Sequence, residues 1–521
     1  MTVQLRQSNG QRDGQTDDRT LRKALLVLFF GSAALGSYFL IAPALSGQLY
    51  YKVGFNRTAY QFAAETLPLF VPWAIALVAW RRGLRVPLKW LIGGAVILHL
   101  IVLFAPPAMS QDFYQYLFYG RMQAVHGANP YVVLPSHFYA DPWFAWTRWH
   151  DQTSVYGPLW MLVTAGVAKT AGDSLVSAFV QLKLVILALD LAVMAFIVRA
   201  AKLGAAAIRR DGDGNGGHEF DGGSDWESTA GFGLLAFAWN PLVLVSVPLA
   251  GAADVVLAAA FVGAVVARRR GWMWLATLVL TLAALTKVYA VAALALHLVL
   301  VGRERNWRTA AGHAAGALGL SALAYVPYWV GTATFHGLIQ AAGYTNHSVV
   351  GAIQAVLVTI LRLVGVHPAA PVASVALRIL IAPVLVAVGL WALRQPRDDA
   401  TLWKSVVVVL AAYLLLTPWY MYWYILGALA LVAVLPRYRL TDPFLTFSGT
   451  SMIALWWFPF ALRLPETLLL VLQAGLRYLP PVWVFRREQR GTSKGRRWSS
   501  KTTFQRDAAK GASKAHVPVG R

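Results

Sequence analysis

Residues 90–119 read WLIGGAVILHLIVLFAPPAMSQDFYQYLFY, and this stretch decides the class of fold. Its first part, Trp90 to Ala105, is apolar and contains no Asp, Glu, Lys or Arg, which is typical of a membrane helix. Its second part follows two prolines and carries a single acid, Asp112, where a membrane helix should meet water. A carboxylate at the mouth of a membrane protein is costly to keep there without a role, so Asp112 is the first candidate functional residue.

Apolar runs of this kind recur along the whole chain. The 521 residues are 58% hydrophobic and only 13% charged, whereas a soluble domain carries about 25% charged residues. The pattern predicts an all-α polytopic membrane protein with about 12–14 transmembrane helices.

The net charge of +23 first suggests a nucleic-acid partner. Lys and Arg, however, gather in short loops between the apolar runs, as the positive-inside rule requires, so we expect the lipid bilayer and no nucleic acid as a partner. The chain has no cysteine, which excludes disulfides, thiol chemistry and Cys-ligated metals.

Charge and composition predict the domain organisation. Residues 1–23 are polar and should form a disordered cytoplasmic N-terminus, and residues 486–521 should form a basic, disordered cytoplasmic tail. The membrane-embedded domain spans residues 24–485. Within it we expect a large outer loop at 106–175, carrying interfacial helices between spans three and four, and a flexible inner loop at 200–230.

The side of the membrane follows from the basic clusters. Arg81, Arg82, Arg85 and Lys89 precede the span that begins at Trp90, so this span should run outward. The sequence therefore predicts a multi-pass protein of the plasma membrane with Asp112 on the extracytoplasmic face.

The neighbours of Asp112 suggest chemistry. Gln115 and Tyr116 lie three and four residues further on, so on a helix they share its face. A carboxylate with amide and phenol neighbours can act as a general base or bind a hydroxyl-rich ligand. The structural alternative is that Ser110 or Asp112 caps the helix, and the pattern alone leaves the two open.

The outer loop holds further polar side chains, among them Arg121, Asn129, Tyr131 and Tyr156. Its many aromatic residues are typical of an interfacial belt, although one or two could stack on a sugar. A divalent metal bound by Asp112, Asp141 and His150 is possible but weakly indicated, because the histidines lack a metal-binding spacing. We therefore assign no cofactor and no metal ligand.

Beyond the loop, further polar residues lie within or beside the apolar segments. Asn240 and Pro241 indicate a structural kink. Asp254 and Lys287 should lie at outer turns, where a lysine runs against the positive-inside bias; its partner is then Asp254 or a lipid phosphate, and the alternative is snorkelling to the surface. Lys183 and Asp190 could form a buried pair, and Tyr420 lies in an aromatic run typical of the membrane interface.

Together these stretches resemble the membrane-embedded glycosyltransferases of the GT-C superfamily, and most closely the bacterial polyprenol-phosphate-mannose-dependent mannosyltransferases and their uncharacterised relatives. The order of the short motifs carries the resemblance. They are Ser110-Gln-Asp-Phe-Tyr-Gln-Tyr116, Gly127-Ala-Asn-Pro-Tyr131, Tyr156-Gly-Pro-Leu159, Asn240-Pro-Leu-Val-Leu244, Asp254, Lys287 and Pro418-Trp-Tyr420.

The resemblance implies transfer of a hexosyl group, with mannose as the family-level expectation, from a polyprenyl-phosphate sugar to a glycan or glycolipid acceptor outside the cell. Asp112 would be the general base of an inverting reaction. We expect the donor or its lipid phosphate to contact Lys287, Arg121, Asp254 and Tyr420. We expect acceptor or sugar contacts from Gln115, Tyr116, Asn129, Tyr131, Tyr156 and Asn240.

Two departures from the family pattern stand out. Gly251-Ala-Ala-Asp254 replaces a Gly-His-Asn-Asp-like run, and Phe113 stands where some branches carry a second acid. Two other functions remain open: a transporter or flippase of a lipid-linked sugar, which should show paired halves, and a non-catalytic scaffold, which would not need Asp112.

Overall fold

The computed structural model describes residues 19–35, 37, 66–105, 107, 110, 112–210, 225–341, 343–456 and 464–513. These residues form helices and contain no strand. The helices of the first half are α1 (19–35), α2 (Phe70–Arg81), α3 (Leu88–Leu103), α4 (Asp112–Ala124), α5 (Pro158–Ala171), α6 (Leu175–Arg210), α7 (Trp226–Ala236), α8 (Pro241–Leu244) and α9 (Val255–Arg269). The helices of the second half are α10 (Met273–Ala284), α11 (Val291–Glu304), α12 (Trp307–Tyr325), α13 (His336–Ala341), α14 (Val349–Leu363), α15 (Ala369–Arg394), α16 (Asp399–Leu416), α17 (Leu426–Ala433), α18 (Thr441–Trp456) and α19 (Glu466–Ser513).

The prediction of an all-α polytopic membrane protein is confirmed. In the described part of the chain, four helices are long and apolar enough to cross a membrane, and two bent helix pairs raise this number to six. Several other apolar helices are only 10–17 residues long, and a full crossing needs about 20 residues. The count of about 12–14 crossings therefore stays a prediction.

Helix α9 forms the centre of the molecule. Nearly all of its side chains are buried, and it packs against α6, α10 and α17. Its Ala, Val and Gly residues let neighbouring backbones come close, as is usual between membrane helices. On α17, a Cβ atom on Gly427 would lie 2.8 Å from the Phe261 ring, so only glycine allows this approach.

The apolar segment that contains Asn240 and Pro241 is broken. Helices α7 and α8 meet at an angle of 56°, and Asn240 begins the second helix by accepting a hydrogen bond from the backbone N–H of Leu242. Its amide group donates to Ser448 Oγ on α18 at 3.0 Å. Asn240 is fully buried by these contacts, so the kink is confirmed and the residue has a structural role here.

Basic residues gather at one end of the bundle. Arg268, at the end of α9, forms ion pairs with Glu304 of α11 and Asp399 of α16. Arg303 donates to carbonyl oxygens at the end of α15, and Arg81 pairs with Asp442 of α18. The basic loops that the sequence assigned to the inside are therefore neighbours in space.

The suggested pair between Lys183 and Asp190 does not form. Lys183 donates instead to the carbonyl oxygens of Pro248 and Leu249, at the end of the bent span. Asp190 contacts Nδ1 of His99, whose Nε2 contacts the carbonyl oxygen of Ala238 at 2.8 Å. Both side chains lie on α6, but they face different neighbours because two helical turns separate them.

Four segment boundaries differ from those predicted from the sequence. Helix α1 begins at residue 19, inside the segment 1–23 predicted to be disordered, and residues 1–18 lie outside the described residues. Helix α6 continues to Arg210 and α7 begins at Trp226, so the inner loop predicted at 200–230 is shorter, and residues 211–224 lie outside the described residues. Helix α19 continues to Ser513, into the segment predicted as a disordered tail.

Candidate active site

Two glycines bring the segments of the site together. At Gly157, an added Cβ would lie 2.1 Å from the carbonyl oxygen of Leu285, so the turn before α5 can dock directly on the turn before Lys287. At Gly251, φ is +72° and an added Cβ would lie 2.4 Å from the Phe113 ring. Only glycine tolerates both this backbone conformation and this contact. The start of α4, the Tyr156 turn, the 251–254 turn and Lys287 therefore meet at one point.

Asp112 occupies this point, in the first turn of α4. Its Oδ1 accepts a hydrogen bond from the indole N–H of Trp149, and its Oδ2 accepts one from the hydroxyl of Tyr156, both at 3.2 Å. Ser110 Oγ accepts from the backbone N–H of Asp112, so the serine caps the helix and leaves the carboxylate free for these contacts. Asp112 stays partly exposed, so a substrate hydroxyl can reach it.

Gln115 supports Asp112 indirectly. Its amide oxygen accepts from the backbone N–H groups of Arg148 and Trp149 at 3.3 and 3.0 Å. These bonds tie the loop to α4 and place the Trp149 indole beside Asp112. Tyr116 is buried, with its ring packed edge-on against Tyr156. The two predicted acceptor contacts therefore position the residues that touch Asp112.

Lys287 lies on the other side of Tyr156. Its ammonium group is 3.4 Å from Oδ2 of Asp254, whose Oδ1 accepts from the hydroxyl of Tyr289 at 2.6 Å. The same ammonium lies over the rings of Tyr156 and Tyr424, at 4.8 and 5.0 Å from their centroids. The sequence hypothesis that Lys287 partners Asp254 is confirmed, and Tyr156 joins this pair to Asp112.

Burial raises the pKa of the Asp112 carboxyl above its ordinary value. The hydrogen bond from Trp149, the charge of Lys287 and the hydrogen bond from Tyr156 oppose this rise, while the charge of Asp254 adds to it. A carboxylate with a raised pKa is a stronger base than a free one, so this environment suits proton removal from a hydroxyl.

Arg121 lies away from this point, nine residues along α4 and therefore about 13 Å from Asp112 along the helix axis. Its guanidinium donates to Asp141, to Asp173 and to the carbonyl oxygen of Gly172. Burial alone would raise the pKa of Asp141, but the bonds from Arg121, the Trp143 N–H and His126 lower it. Arg121 therefore holds the outer loop in shape, and its charge is already paired with two carboxylates.

Asn129 and Tyr131 form a second layer behind the site. The Asn129 side chain accepts from the backbone N–H of Tyr131 and donates to the carbonyl oxygen of Tyr328. The hydroxyl of Tyr131 donates to the carbonyl oxygen of Tyr156 at 2.7 Å. Both residues fix the Tyr156 turn, and neither reaches Asp112.

Two further predicted contacts lie elsewhere. Asn240 is buried at the break between α7 and α8, as described above. Tyr420 is fully buried, its hydroxyl bonded to Ser451 and its ring covered by the guanidinium of Arg477. The structure therefore brings together Asp112, Tyr156, Asp254 and Lys287, with Gln115 and Tyr116 in support.

Sequence reasoning missed three residues of this site: Trp149, Tyr289 and Tyr424. Trp149 was one of many loop aromatics, and Tyr424 belonged to a run interpreted as an interfacial belt. Of the three, only Tyr289 could have been predicted from the sequence, because it lies two residues from Lys287.

The suggested metal ligands do not come together. Asp141 contacts Arg121 and His126, and the His150 ring stacks on Phe144. In the described part of the chain, no group of three His, Asp or Glu side chains could hold a metal ion.

The fold is that of a multi-pass, all-α membrane protein, and its candidate site holds a partly exposed carboxylate, Asp112, beside the pair of Lys287 and the buried Asp254. Comparison with family models identifies the family of the chain. A model described as Glycosyltransferase family 87 matches residues 155–418, just over half of the chain, and the chain belongs to this family. A second model, Alpha-(1->6)-mannopyranosyltransferase, N-terminal domain, matches residues 23–209. A search of the curated proteins finds no match.

The protein is therefore a membrane glycosyltransferase that moves a glycosyl group from a sugar donor to a glycan acceptor. The two matches overlap over residues 155–209 and together include Asp112, Tyr156 and Lys287. The GT-C resemblance stated from the sequence is confirmed.

Proposed function

We propose that this glycosyltransferase transfers a hexosyl group, mannose by family analogy, from a polyprenyl-phosphate sugar to an extracytoplasmic glycan or glycolipid, with Asp112 as the general base of an inverting reaction. One observation carries the proposal: Asp112 is a partly exposed carboxylate whose two oxygens are oriented by neutral donors, Trp149 and Tyr156. The match to a mannopyranosyltransferase domain supports mannose.

The reaction needs one base and one anion site. Asp112 removes the proton of the acceptor hydroxyl, and the resulting oxygen attacks the anomeric carbon from the face opposite the lipid. A new C–O bond forms as the bond between the anomeric carbon and the phosphate oxygen breaks. The lipid phosphate leaves with the electron pair, and the charge of Lys287 stabilises it as it departs.

The arrangement of charge supports the extracytoplasmic face. Helix α9 begins directly after Asp254 and ends at Arg269, a distance of about 22 Å. The basic cluster around Arg268 and the Asp112 site thus lie at opposite ends of the same helix. Since cytoplasmic ends of membrane proteins carry the excess of Lys and Arg, this arrangement supports the proposal that Asp112 faces the outside.

A donor comparison tests the proposal. The purified protein in lipid vesicles, supplied with an envelope extract as acceptor, should transfer labelled mannose from polyprenyl-phosphate mannose and not from nucleotide-linked mannose. Transfer from the nucleotide sugar would contradict the proposed donor. Movement of the lipid-linked sugar across the bilayer without transfer would instead identify a transporter.

Replacing Trp149 with phenylalanine should change the pH dependence of transfer. Loss of the indole N–H removes a hydrogen bond that favours the charged form of Asp112, so the pKa of this carboxyl should rise further. Since a general base must be deprotonated, the acid limb of the pH–rate profile should move to higher pH.

The matched control is Trp143→Phe. Trp143 lies in the same loop, and its indole N–H donates to the carbonyl oxygen of Asp173 instead of to Asp112. An unchanged acid limb in Trp149→Phe, or an equal movement in Trp143→Phe, would show that Trp149 does not tune the base.

A further inference from the structure

Arg477 is a buried cation that the proposed mechanism does not use. It lies on α19 within a segment that is long and apolar enough to cross the membrane. Its relative exposure is 0%. A charged side chain inside a membrane segment is expensive, and such residues mark binding or transport sites more often than they stabilise the fold.

The guanidinium of Arg477 is only partly satisfied. Its Nη1 donates to the carbonyl oxygen of His347, and its plane covers the Tyr420 ring at 4.6 Å. Its Nε and Nη2 have no hydrogen-bond partner among the residues that the structure describes. The ionisable groups nearest to it are the phenols of Tyr420 and Tyr478, which are uncharged at neutral pH, and none of the ion pairs among the described residues includes it.

This arrangement is costly without a further partner. A buried charge that lacks its counter-ion destabilises a protein, whereas an apolar residue of similar size would be tolerated. The two free donors of a guanidinium form a planar fork that matches phosphate oxygens. The Nε and Nη2 groups of Arg477 therefore match an anion of that geometry.

Arg477 is connected to the candidate active site through His347, Asn346 and Trp419. His347, which it contacts, has a left-handed backbone with φ of 38°, a strained conformation for a residue other than glycine. The preceding residue, Asn346, pairs with the chain around Trp419: its N–H donates to Pro418, and its carbonyl oxygen accepts from Tyr420. The Trp419 ring in turn lies 6.0 Å from that of Trp149, the tryptophan bonded to Asp112.

We propose that Arg477 binds a phosphate group of a lipid, next to the Asp112 site. Displacement of the short loop at Asn346–Ser348, whose His347 carbonyl oxygen accepts from the guanidinium, admits the phosphate to Nε and Nη2. The inference deepens the proposed function, since the leaving group there is a lipid phosphate. Lys287 already has a carboxylate partner in Asp254, whereas Arg477 has none among the described residues.

A binding experiment tests this without any transfer step. The thermal unfolding midpoint of the purified protein in detergent is measured against three probes: polyprenyl phosphate, phosphatidylglycerol and inorganic phosphate. Polyprenyl phosphate should raise the midpoint of the wild type. In Arg477→Met its apparent Kd should rise roughly 10- to 100-fold, the loss expected for hydrogen bonds to a charged group.

Arg487→Met serves as the matched control, because Arg487 lies on the same helix and is exposed. It should bind polyprenyl phosphate like the wild type. Without ligand, Arg477→Met should unfold at the same temperature as the wild type or higher, since it removes an uncompensated charge. A lower midpoint together with an unchanged Kd would show that Arg477 is structural and overturn the proposal.

The probes separate the sources of phosphate. A response to polyprenyl phosphate, or equally to phosphatidylglycerol, that Arg477→Met abolishes supports a lipid phosphate site. A response to inorganic phosphate alone, or no response to any probe, overturns it. Binding that Asp112→Asn retains and Arg477→Met loses would uphold this inference even if sugar transfer from a lipid donor were not found.

Discussion

Replacing Asp112 with asparagine is expected to lower the rate of sugar transfer by roughly 10²- to 10⁴-fold, the usual contribution of a general base. Asparagine has nearly the same shape but cannot accept a proton from the acceptor hydroxyl. The measurement is initial-rate transfer from polyprenyl-phosphate mannose in membranes at equal protein levels. Equal rates in wild type and variant would exclude Asp112 as the base.

The loss must be separated from misfolding. In Asp112→Asn, the amide can still accept one hydrogen bond from Trp149 or Tyr156, so the thermal unfolding midpoint should change little. Asp151→Asn is the matched control, because Asp151 is an exposed acid of the same loop. Asp151→Asn should transfer sugar at the wild-type rate. A loss comparable to that of Asp112→Asn would show that the negative charge of the outer loop matters and that Asp112 has no specific role as a base.

Replacing Lys287 with methionine is expected to cost both stability and transfer. Asp254 is fully buried and the Lys287 side chain is only 12% exposed, so removing the lysine leaves a carboxylate without its counter-ion. Breaking a buried pair in this way costs about 3–5 kcal/mol. The measurement is the thermal unfolding midpoint in detergent, followed by the transfer assay on the folded fraction.

A double substitution separates the two effects of this lysine. Lys287→Met with Asp254→Asn removes both charges and should recover most of the lost stability, because no unpaired charge remains. Transfer should stay low in the double variant, since the ammonium group of Lys287, which stabilises the leaving phosphate, is gone. Recovery of transfer together with stability would show that Lys287 acts only as the partner of Asp254.

The sequence was most informative at charged or polar residues that lie within or next to an apolar segment. Asp112 follows an apolar span, and the charge pattern predicted that Lys287 lies on the side of the membrane that basic residues avoid, so both stood out without any contact being known. Asn240 and Pro241 likewise predicted the break between α7 and α8. In each case the chemistry of one residue conflicts with an apolar helix, and the nearby sequence is enough to detect the conflict.

For polar residues in polar or aromatic segments, the sequence could not distinguish a ligand contact from a structural contact. Arg121, Asn129 and Tyr420 are residue types that often contact ligands. In the structure their side chains instead form hydrogen bonds with Asp173, Tyr328 and Ser451. Their partners lie 52, 199 and 31 residues away along the chain. Local pattern carries no information about such partners.

By itself, the sequence determined that this is an all-α membrane protein, which end of its helices is basic and which acid lies at the other end. Those properties depend on hydropathy and charge, which each segment carries alone. Only the tertiary structure decided that Trp149 and Tyr156 hold Asp112 and that Asp254 holds Lys287. These contacts exist because the backbones at Gly157 and Gly251 approach other segments more closely than any side chain would allow. Such an approach depends on the residues of both segments in contact, and these segments are far apart in the sequence.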